Sequence, residues 1–231
     1  MYEKFGFTKL NIELSTRPEK YVGDIADWDL AEENLKQALT EKNIDFQLNE
    51  GDWAFYGPKI DFKIFDAIGR EWQCGTVQLD FALPKRFELE YTWEDGQKHT
   101  PIMLHRVVYG SLERFFGILI EHFAWAFPLW LAPVQVMVVP VADKFNDYAF
   151  DLKSKMNANG LRVRVDDGAD SFSKKIRNAE LMKVPYIIIV GEKEETDKTV
   201  SVRVYKTKEQ LVMSVEDFIA AKVKEYKERS L

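Results

Sequence analysis

The stretch FAWAFPLWLAPVQVMVVPVA, residues 123–142, contains one polar side chain, Gln135. Twenty mostly apolar residues are enough to cross a bilayer as one helix. The prolines at positions 128, 133 and 140 would interrupt such a helix repeatedly, and the residue before each proline favours extended backbone. The stretch therefore indicates the end of a helix, a tight apolar connection and a buried strand over 134–139. A membrane span is the less favoured alternative.

Charge and sequence rhythm change at this stretch, which divides the 231 residues into two predicted domains, 1–131 and 132–231. The first domain holds 14 Lys and Arg against 22 Asp and Glu, whereas the second holds 18 against 16. The net charge of the whole chain is −6, which argues against a simple basic coat for nucleic acid.

Cysteine usage and the N-terminus indicate the compartment. Cys74 is the one cysteine of the sequence, which excludes a disulfide framework and a Cys-only zinc finger and fits a reducing compartment. The first ten residues lack the apolar core and the cleavage site of a secretory signal. We therefore expect a soluble, cytoplasmic α/β protein without a membrane partner.

The second domain alternates strands and helices. We predict strands over 134–141, 161–165, 185–191 and 199–205, helices over 144–158 and 171–182, and a last helix capped by Ser214 with Asp217 three residues later. Asn159-Gly160 is typical of a helix end with left-handed backbone. This order predicts a three-layer α/β domain with a mixed, mostly parallel sheet.

The first domain has an α+β pattern, mostly antiparallel sheet with helices at its ends. We predict strands over 10–14, 60–64, 71–81 and 87–93, with turns at 67–70 and 94–97. A helix capped by Asp24 or Asp27 should bury Trp28, Ala31, Leu35, Ala38 and Leu39. A second helix, which starts near Gly110-Ser111, should bury Leu112, Phe115, Phe116, Leu119 and Phe123.

One predicted strand carries polar or small side chains at its even positions, Cys74, Thr76, Gln78 and Asp80. A solvent-facing strand surface would explain this pattern by itself. Surface strands favour Lys, Glu and Thr, however, so the run QCGTVQ over 73–78 indicates the floor of a pocket.

Two further segments carry candidate binding groups. In GDWAFYGPKIDF, residues 51–62, Tyr56 and Lys59 flank a Gly-Pro turn and provide a hydroxyl and an ammonium that suit an amino acid or a phosphate. In HRVVYGSLER, residues 105–114, Gly110 allows a ligand close to the backbone, and Ser111 caps a helix whose first turn favours anions. Taken singly, each of these residues is more often ordinary surface or core. The three histidines and one cysteine do not form an obvious zinc site by themselves.

Together these segments resemble threonyl-tRNA synthetase, a class II aminoacyl-tRNA synthetase. The matching runs are STRPEKYVGD (15–24), YGPKIDF (56–62), WQCGTVQLDFALP (72–84) and HRVVYGSLERFFGILIEHFAWAFPLWLAPVQV (105–136), in which SLER matches class II motif 3. The resemblance covers essentially the whole chain. It implies ATP-dependent activation of threonine to threonyl-adenylate and transfer of the threonyl group to tRNA(Thr), with Mg²⁺ accompanying ATP.

The resemblance also implies roles for individual residues. Arg114 would pack on the adenine of ATP and help hold its phosphate end, so Arg114 and Lys59 are the catalytic candidates. The other positions that match the lining of the threonyl-adenylate site are Tyr56, Gln73, Thr76, Gln78 and Ser111. Cys74 is not a metal ligand in that family and is expected to be a packed pocket residue.

A zinc ion is a further implication of the resemblance. His105 matches one of three protein ligands of a zinc ion that binds the amino and hydroxyl groups of threonine, which explains rejection of valine. The other two ligands, and motifs 1 and 2, belong to a region that this chain lacks. We therefore expect a fragment that by itself neither holds zinc tightly nor activates threonine, whereas the intact protein would be a homodimer. The alternative is a non-catalytic tRNA- or RNA-binding paralogue that kept the scaffold.

The second domain resembles the anticodon-binding domain of class II synthetases, with KKIRNAELMKVPYIIIVGEKE (174–194) as its core. Arg177, Glu194 and Arg203 match positions that contact anticodon bases, which suits the donors of arginine and the acceptors of glutamate. A solvated charge in a hairpin is the alternative for Glu194. The acidic run over 166–170 lowers the positive charge, so we expect weak, salt-sensitive RNA binding. A small-molecule sensor is less favoured, because this domain has no Gly-rich phosphate loop.

Overall fold

The structure, a computed structural model, describes residues 1–51 and 55–231. Asp52, Trp53 and Ala54, from the run that precedes Tyr56, lie outside the described residues. The chain forms two compact units, one of residues Phe7–Glu121 and one that combines Met1–Gly6 with His122–Leu231.

The unit Phe7–Glu121 is built on a five-stranded sheet in the order β2-β1-β3-β4-β7. The pairs β1–β3, β3–β4 and β4–β7 are antiparallel, and β1–β2 is parallel. Its elements are β1 (Leu10–Ser15), α1 (Ile25–Glu41), β2 (Gln47–Asn49), β3 (Lys59–Phe65), β4 (Glu71–Asp80), α2 (Ala82–Arg86), β5 (Tyr91–Thr92), β6 (Lys98–His99), β7 (Met103–Val107) and α3 (Leu112–Phe123).

The core of this unit lies between α1 and the sheet. Helix α1 buries Trp28, Ala31, Leu35 and Leu39, which were predicted. Ala38 is exposed, so the prediction that it is buried is wrong. Leu14 and Ile60 from the sheet pack against the leucines of α1. The apolar stripe of the helix and the alternating side chains of the strands therefore face each other, as their periods require.

Two predictions for this unit are corrected. Residues 87–93 do not form a strand of the main sheet, because the chain after β4 forms α2 and then the two-residue strands β5 and β6, which pair only with each other. Helix α3 starts as predicted but buries Phe115, Ile118 and Leu119, whereas Leu112 and Phe116 are more than half exposed. The buried face of α3 is therefore rotated relative to the predicted one, and Leu112 and Phe116 lie at its sides.

The second unit contains a five-stranded mixed sheet in the order β12-β11-β10-β8-β9. The pairs β8–β9 and β8–β10 are parallel, and the pairs β10–β11 and β11–β12 are antiparallel. Its elements are β8 (Val136–Pro140), α4 (Asn146–Ala158), β9 (Val163–Val165), α5 (Phe172–Leu181), β10 (Tyr186–Val190), α6 (Glu192–Asp197), β11 (Thr199–Val204), β12 (Gln210–Ser214) and α7 (Val215–Glu228). The sheet is mixed as predicted, but parallel pairs are no more numerous than antiparallel ones, because β12 adds an unpredicted antiparallel edge.

The three-layer arrangement follows from the alternation of β8, in which every residue is buried. Val136 and Val138 face α4 and α7, and Met137 and Val139 face α5. Ser214 caps α7 as predicted, since its Oγ accepts a hydrogen bond from the amide of Asp217 at 3.0 Å.

The stretch 123–142 is not a transmembrane helix but the end of α3, a connection and β8. Over the described ranges 1–51 and 55–231, each helix is too short or too polar to cross a bilayer.

Candidate active site

A cleft of about 680 Å³ opens on the sheet of the unit Phe7–Glu121. Strands β3, β4 and β7 form it together with the chain before β3. Its lining residues are Tyr56, Lys59, Gln73, Thr76, Gln78, Leu104, His105, Arg106 and Val107. Six of these residues were selected from the sequence, namely Tyr56, Lys59, Gln73, Thr76, Gln78 and His105.

A bulge in β4 brings Gln73 and Thr76 to the same face. Lys63 pairs with Gln73 and Phe62 pairs with Gly75, so Cys74 is the extra residue between two successive pairs. The bulge shifts the alternation by one position, and for this reason an odd and an even residue both line the cleft. Cys74 is packed, as expected, since its side chain is buried, but it is not among the residues that line the cleft, so the even-position pattern does not hold at Cys74.

Asp61 holds three of the lining side chains and was not selected from the sequence. Its carboxylate accepts hydrogen bonds from Lys59 Nζ at 2.7 Å, Gln73 Nε2 at 2.6 Å and Thr76 Oγ1 at 2.7 Å. Asp61 is only 1% exposed. A buried carboxylate that accepts three short bonds fixes its donors, because each donor that left would cost a charge-assisted hydrogen bond. The signal in the sequence was its position two residues after Lys59, on the same face of the strand.

Tyr56, Lys59 and Gln78 are positioned by the Gly57-Pro58 turn and by strand register. Lys59 pairs with Gln78, and Gln78 pairs with His105 on the other side. The Tyr56 hydroxyl donates to Gln78 Oε1 at 3.1 Å. A methyl group on Gly57 would lie 1.9 Å from the carbonyl oxygen of Leu79, so the turn requires glycine for close approach to β4.

His105, on β7, is oriented by Asp80. The distance from His105 Nε2 to Asp80 Oδ2 is 2.9 Å, and Asp80 Oδ1 accepts from the amides of Ala82 and Leu83. Burial opposes the charged form of Asp80, but the amide of Leu83, His105 and the amide of Ala82 outweigh it, so the pKa of Asp80 lies below its usual range. An ionised carboxylate can only accept, so Nε2 donates to Asp80 and Nδ1 is the ring nitrogen that this contact leaves for another group.

Few possible zinc ligands lie near His105 in the described part of the chain. Across residues 1–51 and 55–231, no group of three or more His, Cys, Asp and Glu side chains is arranged to hold a metal ion. A zinc site takes at least three protein ligands. His105 can supply one nitrogen, so the described residues do not fit zinc by themselves.

Arg114 and Ser111 lie at the start of α3 and are not among the residues that line the cleft. The Arg114 guanidinium is 5.7 Å from the centre of the Trp72 ring, and its charge acts against the raised pKa that burial gives Cys74. Ser111 Oγ accepts from the amide of Arg114 at 3.2 Å, as a cap. Gly110 has a φ of +66°, and a methyl group there would lie 3.0 Å from the carbonyl oxygen of Cys74. Glycine at this position therefore allows close approach of β4, and close approach of a ligand stays a prediction.

Two of the predicted anticodon residues, Arg203 and Arg177, lie on one side of the second unit's sheet, and Arg203 makes an ion pair there. Arg203 lies on β11 beside Ile187, which faces α5, and its Nη2 is 2.7 Å from Glu180 Oε1 of α5. Arg177 is exposed and lies one turn before Glu180 on α5.

Glu194 lies in the first turn of α6, in the connection between the antiparallel strands β10 and β11, and it is not a merely solvated charge. Its carboxylate accepts from the amide of Gly191 at 3.0 Å and from Ser201 Oγ at 2.8 Å. Because Ser201 lies two residues before Arg203 on β11, the two side chains share a face of the sheet. The three residues therefore lie on the α5 side of this domain.

Two family models match the chain. Residues 1–123 match the tRNA synthetase class II core domain (G, H, P, S and T), and residues 135–225 match the anticodon binding domain.

Curated proteins similar to this chain include two threonine–tRNA ligases. The protein of Finegoldia magna is 53% identical over 229 residues, which cover 99% of this chain and 36% of that protein. The protein of Clostridioides difficile is 51% identical over 229 residues, which again cover 99% of this chain and 36% of that protein. The chain thus spans about a third of the length of the curated relatives it matches.

Solved structures are similar as well. The RNA binding domain of threonyl-tRNA synthetase from Cryptosporidium parvum is 37% identical with a TM-score of 0.88, over 96% of this chain and 56% of that chain. A putative threonyl-tRNA synthetase from Aeropyrum pernix is 31% identical with a TM-score of 0.73, over 95% of this chain and 54% of that chain.

Proposed function

Because the chain belongs to the class II aminoacyl-tRNA synthetases, we propose that it is part of a threonine–tRNA ligase and carries one wall of the threonyl-adenylate site together with the anticodon-binding domain. The ligase joins threonine to ATP, releases pyrophosphate, and transfers the threonyl group from the adenylate to tRNA(Thr). The domain boundary that we propose lies between residues 131 and 132.

The Asp61 network is the observation that carries this proposal. It fixes an ammonium, an amide and a hydroxyl within hydrogen-bonding distance of one buried carboxylate. Adenylate formation requires no protein nucleophile, and its catalysis depends on pre-positioned groups that stabilise charge on the reacting phosphate. Lys59 is the proposed phosphate or carboxylate contact, and Tyr56, Gln73, Thr76 and Gln78 are the proposed contacts of the threonyl moiety.

Arg114 and Ser111 are proposed to bind ATP, which enters with Mg²⁺. The start of α3 supports this role, because exposed amides at a helix start favour anions and Arg114 adds a planar cation beside them.

Zinc is proposed for the longer protein, with His105 as one of its ligands. When bound, the ion would supply Lewis-acid coordination of the amino and hydroxyl groups of threonine. In this chain Asp80 orients the His105 ring through Nε2, so Nδ1 is the nitrogen that would bind the ion.

For the second domain we propose binding of the tRNA(Thr) anticodon through Arg177, Glu194 and Arg203. Their location on the α5 side of the sheet, together with the match to the anticodon binding domain, supports this role. A cytoplasmic homodimer is the proposed state of the intact ligase.

A chimeric enzyme tests the proposal. The 231 residues replace the matching segment of the Clostridioides difficile ligase, and aminoacylation of tRNA(Thr) is measured. We expect an active chimera whose kcat/KM falls about a hundredfold with Asp61→Asn, in the range for loss of one charge-stabilising group. Asp45→Asn, at an exposed position, is the matched control and should leave kcat/KM unchanged.

The two candidate functions give different results. A chimera that folds and binds tRNA(Thr) without forming threonyl-adenylate would contradict the ligase proposal and favour the RNA-binding paralogue. The 231 residues alone should show no threonine-dependent pyrophosphate exchange, and clear exchange would contradict that expectation.

A further inference from the structure

A strained and exposed tryptophan follows helix α3. Ala124 and Trp125 have φ values of +46° and +66°, in the left-handed region that favours glycine. A bulky residue there is an outlier, and such outliers concentrate at functional sites. The Trp125 side chain is 61% exposed. Packing of the Trp125 side chain therefore offsets little of the free-energy cost of its backbone conformation.

Trp125 forms one wall of a small cavity in the unit that contains residues 122–231. We call this cavity, of about 230 Å³, the tryptophan slot. Its lining residues are Trp125, Phe127, Ala132, Pro133, Val134, Met182, Lys183 and Val184. The ring of Phe127 meets that of Trp125 edge-on, with a centroid separation of 6.5 Å.

Lys183 holds this strained turn in place. Its ammonium donates a hydrogen bond to the carbonyl oxygen of Ala124, and its own φ is +53°. The same contact brings a positive charge to the rim of an otherwise apolar slot. An aromatic wall beside a fixed cation is the arrangement with which proteins bind the stacked bases and phosphates of single-stranded nucleic acid.

The size and surroundings of the slot suit the binding of a single flat chemical group. Its volume lies below the range of about 300–1,000 Å³ that is typical of pockets for whole drug-sized ligands. Leu181 and Met182 continue an exposed apolar surface from the slot along the end of α5. Arg177 lies four residues before Leu181, so the two share one face of that helix.

On these grounds we propose that the tryptophan slot binds one unpaired nucleobase of the tRNA. The base would stack on Trp125, and the adjoining phosphate would lie near Lys183. The proposal rests on the proposed tRNA-binding function, because the proposed anticodon residue Arg177 faces the same side of α5. It adds a stacking contact outside the set Arg177, Glu194 and Arg203.

Binding of a tRNA(Thr) transcript to the 231-residue chain, followed by fluorescence anisotropy at fixed low salt, tests the proposal. Trp125→Gly should weaken binding about tenfold, within the range for loss of one base–aromatic stack. Trp125→Phe keeps a ring and should stay within about threefold of the original. Trp125→Gly should melt at least as high as the original chain, because glycine relieves the positive φ, so weaker binding could not result from unfolding.

Arg177→Ala separates this proposal from the proposed function. It should weaken binding because a proposed base contact outside the slot is lost, whereas Trp125→Gly should leave the salt dependence of binding unchanged because stacking releases no counterion. If Trp125→Gly leaves binding unchanged and Arg177→Ala weakens it, the proposal that the slot binds a nucleobase is wrong, whereas the proposed anticodon binding stands. The slot would then be a candidate site for a protein partner. A chain that binds no tRNA(Thr), or whose binding neither variant changes, would overturn both.

Discussion

Asp66, at the turn between β3 and β4, has a side chain that is fully buried. Its carboxylate accepts from Trp72 Nε1 at 2.8 Å, from Arg70 Nε at 2.6 Å and from the amides of Arg70 and Ile68. Burial opposes its charged form, but the bonds from Trp72 and Arg70 and those amides outweigh this, so the pKa of Asp66 lies far below its usual range. This carboxylate therefore ties the turn to β4 while it stays ionised.

A pH dependence follows from Asp66. A depressed pKa stabilises the fold above the unfolded-state pKa of about 3.9, and this contribution is lost as the pH falls through the folded-state value. Asp66→Asn should therefore lower the free energy of unfolding at pH 7, and the gap to the original chain should shrink between about pH 4 and pH 2. Urea unfolding across this range measures the gap. Exposed Asp45→Asn should follow the original chain, and a gap that stays constant with pH would count against the prediction.

At the same scale, the sequence predicted the cleft through residue types but not through contacts. Tyr56, Lys59 and Gln78 were selected correctly as neighbours of one cleft. Asp61 was missed because an acidic residue that alternates with apolar ones has the same pattern whether it faces solvent or a buried network. The packing of Cys74 was expected, but the bulge at this residue was not, because a bulge leaves no mark in a period-two pattern. The roles of these residues in binding stay predictions.

Among the elements, the turn before β3 is packed against the end of β4. The amide of Leu79 donates to the carbonyl oxygen of Pro58 at 3.1 Å, and that of Phe81 donates to Tyr56 at 3.0 Å. Gly57 lies inside this pair of bonds, where a side chain has no room. The turn thus fixes Tyr56 and Lys59 against β4, which carries Gln73, Thr76 and Gln78.

Gly57→Ala should lower the free energy of unfolding by about 1–3 kcal/mol, the usual cost of forcing an extra methyl group into a packed site. Gly117→Ala is the matched control, because a methyl group there would meet nothing within 4 Å on the exposed face of α3. The control should raise stability by up to about 1 kcal/mol, since alanine is the better helix former. Urea unfolding of both variants measures these changes, and equal effects at the two glycines would refute the prediction.

Elements with a strong period were easier to predict than short ones. Helices α1, α4, α5 and α7 and strands β8, β10 and β11 lie where predicted, within a few residues. Helix α6 and strands β2, β7 and β12 were missed, since three to six residues carry too little periodicity. The strand predicted over 87–93 is reduced to β5, which pairs only with β6, because β propensity does not extend a strand where no longer partner is present.

One of the two compact units is made of two segments that are far apart in the sequence. Residues 1–6 pack with residues 122–231, although residues 7–121 separate them in the chain. Tyr2 and Phe5 are buried, and the Phe5 ring lies 5.2 Å from that of Trp130. The N-terminal segment is therefore a structural part of the unit that also contains the C-terminus.

Phe5→Ala should destabilise that unit by about 3 kcal/mol, as loss of a buried aromatic side chain does. Amide hydrogen exchange should accelerate in peptides from residues 122–231 and stay unchanged in β3 and β4. Lys4→Ala, at an exposed neighbouring position, is the control and should leave both regions unchanged. Faster exchange confined to β3 and β4 would contradict the assignment of residues 1–6 to this unit.

At this largest scale the sequence was most informative. The predicted fold class, an antiparallel sheet followed by a three-layer α/β domain, is confirmed, and so is the resemblance to threonyl-tRNA synthetase. Charge and periodicity predicted a division after residue 131, whereas the compact units meet between Glu121 and His122, so the domain boundary itself stays a prediction. The crossing of residues 1–6 to the distant half has no periodic signature, and only tertiary packing reveals it.

The placement of residues 1–6 has a consequence for biosynthesis. Tyr2 and Phe5 leave the ribosome more than one hundred residues ahead of Trp130. At translation rates of about 5–20 residues per second, they await their partner for on the order of ten seconds. A nascent chain that stalls between the two would leave both aromatic rings exposed, so chaperones that engage emerging polypeptides should bind residues 1–6 during this interval.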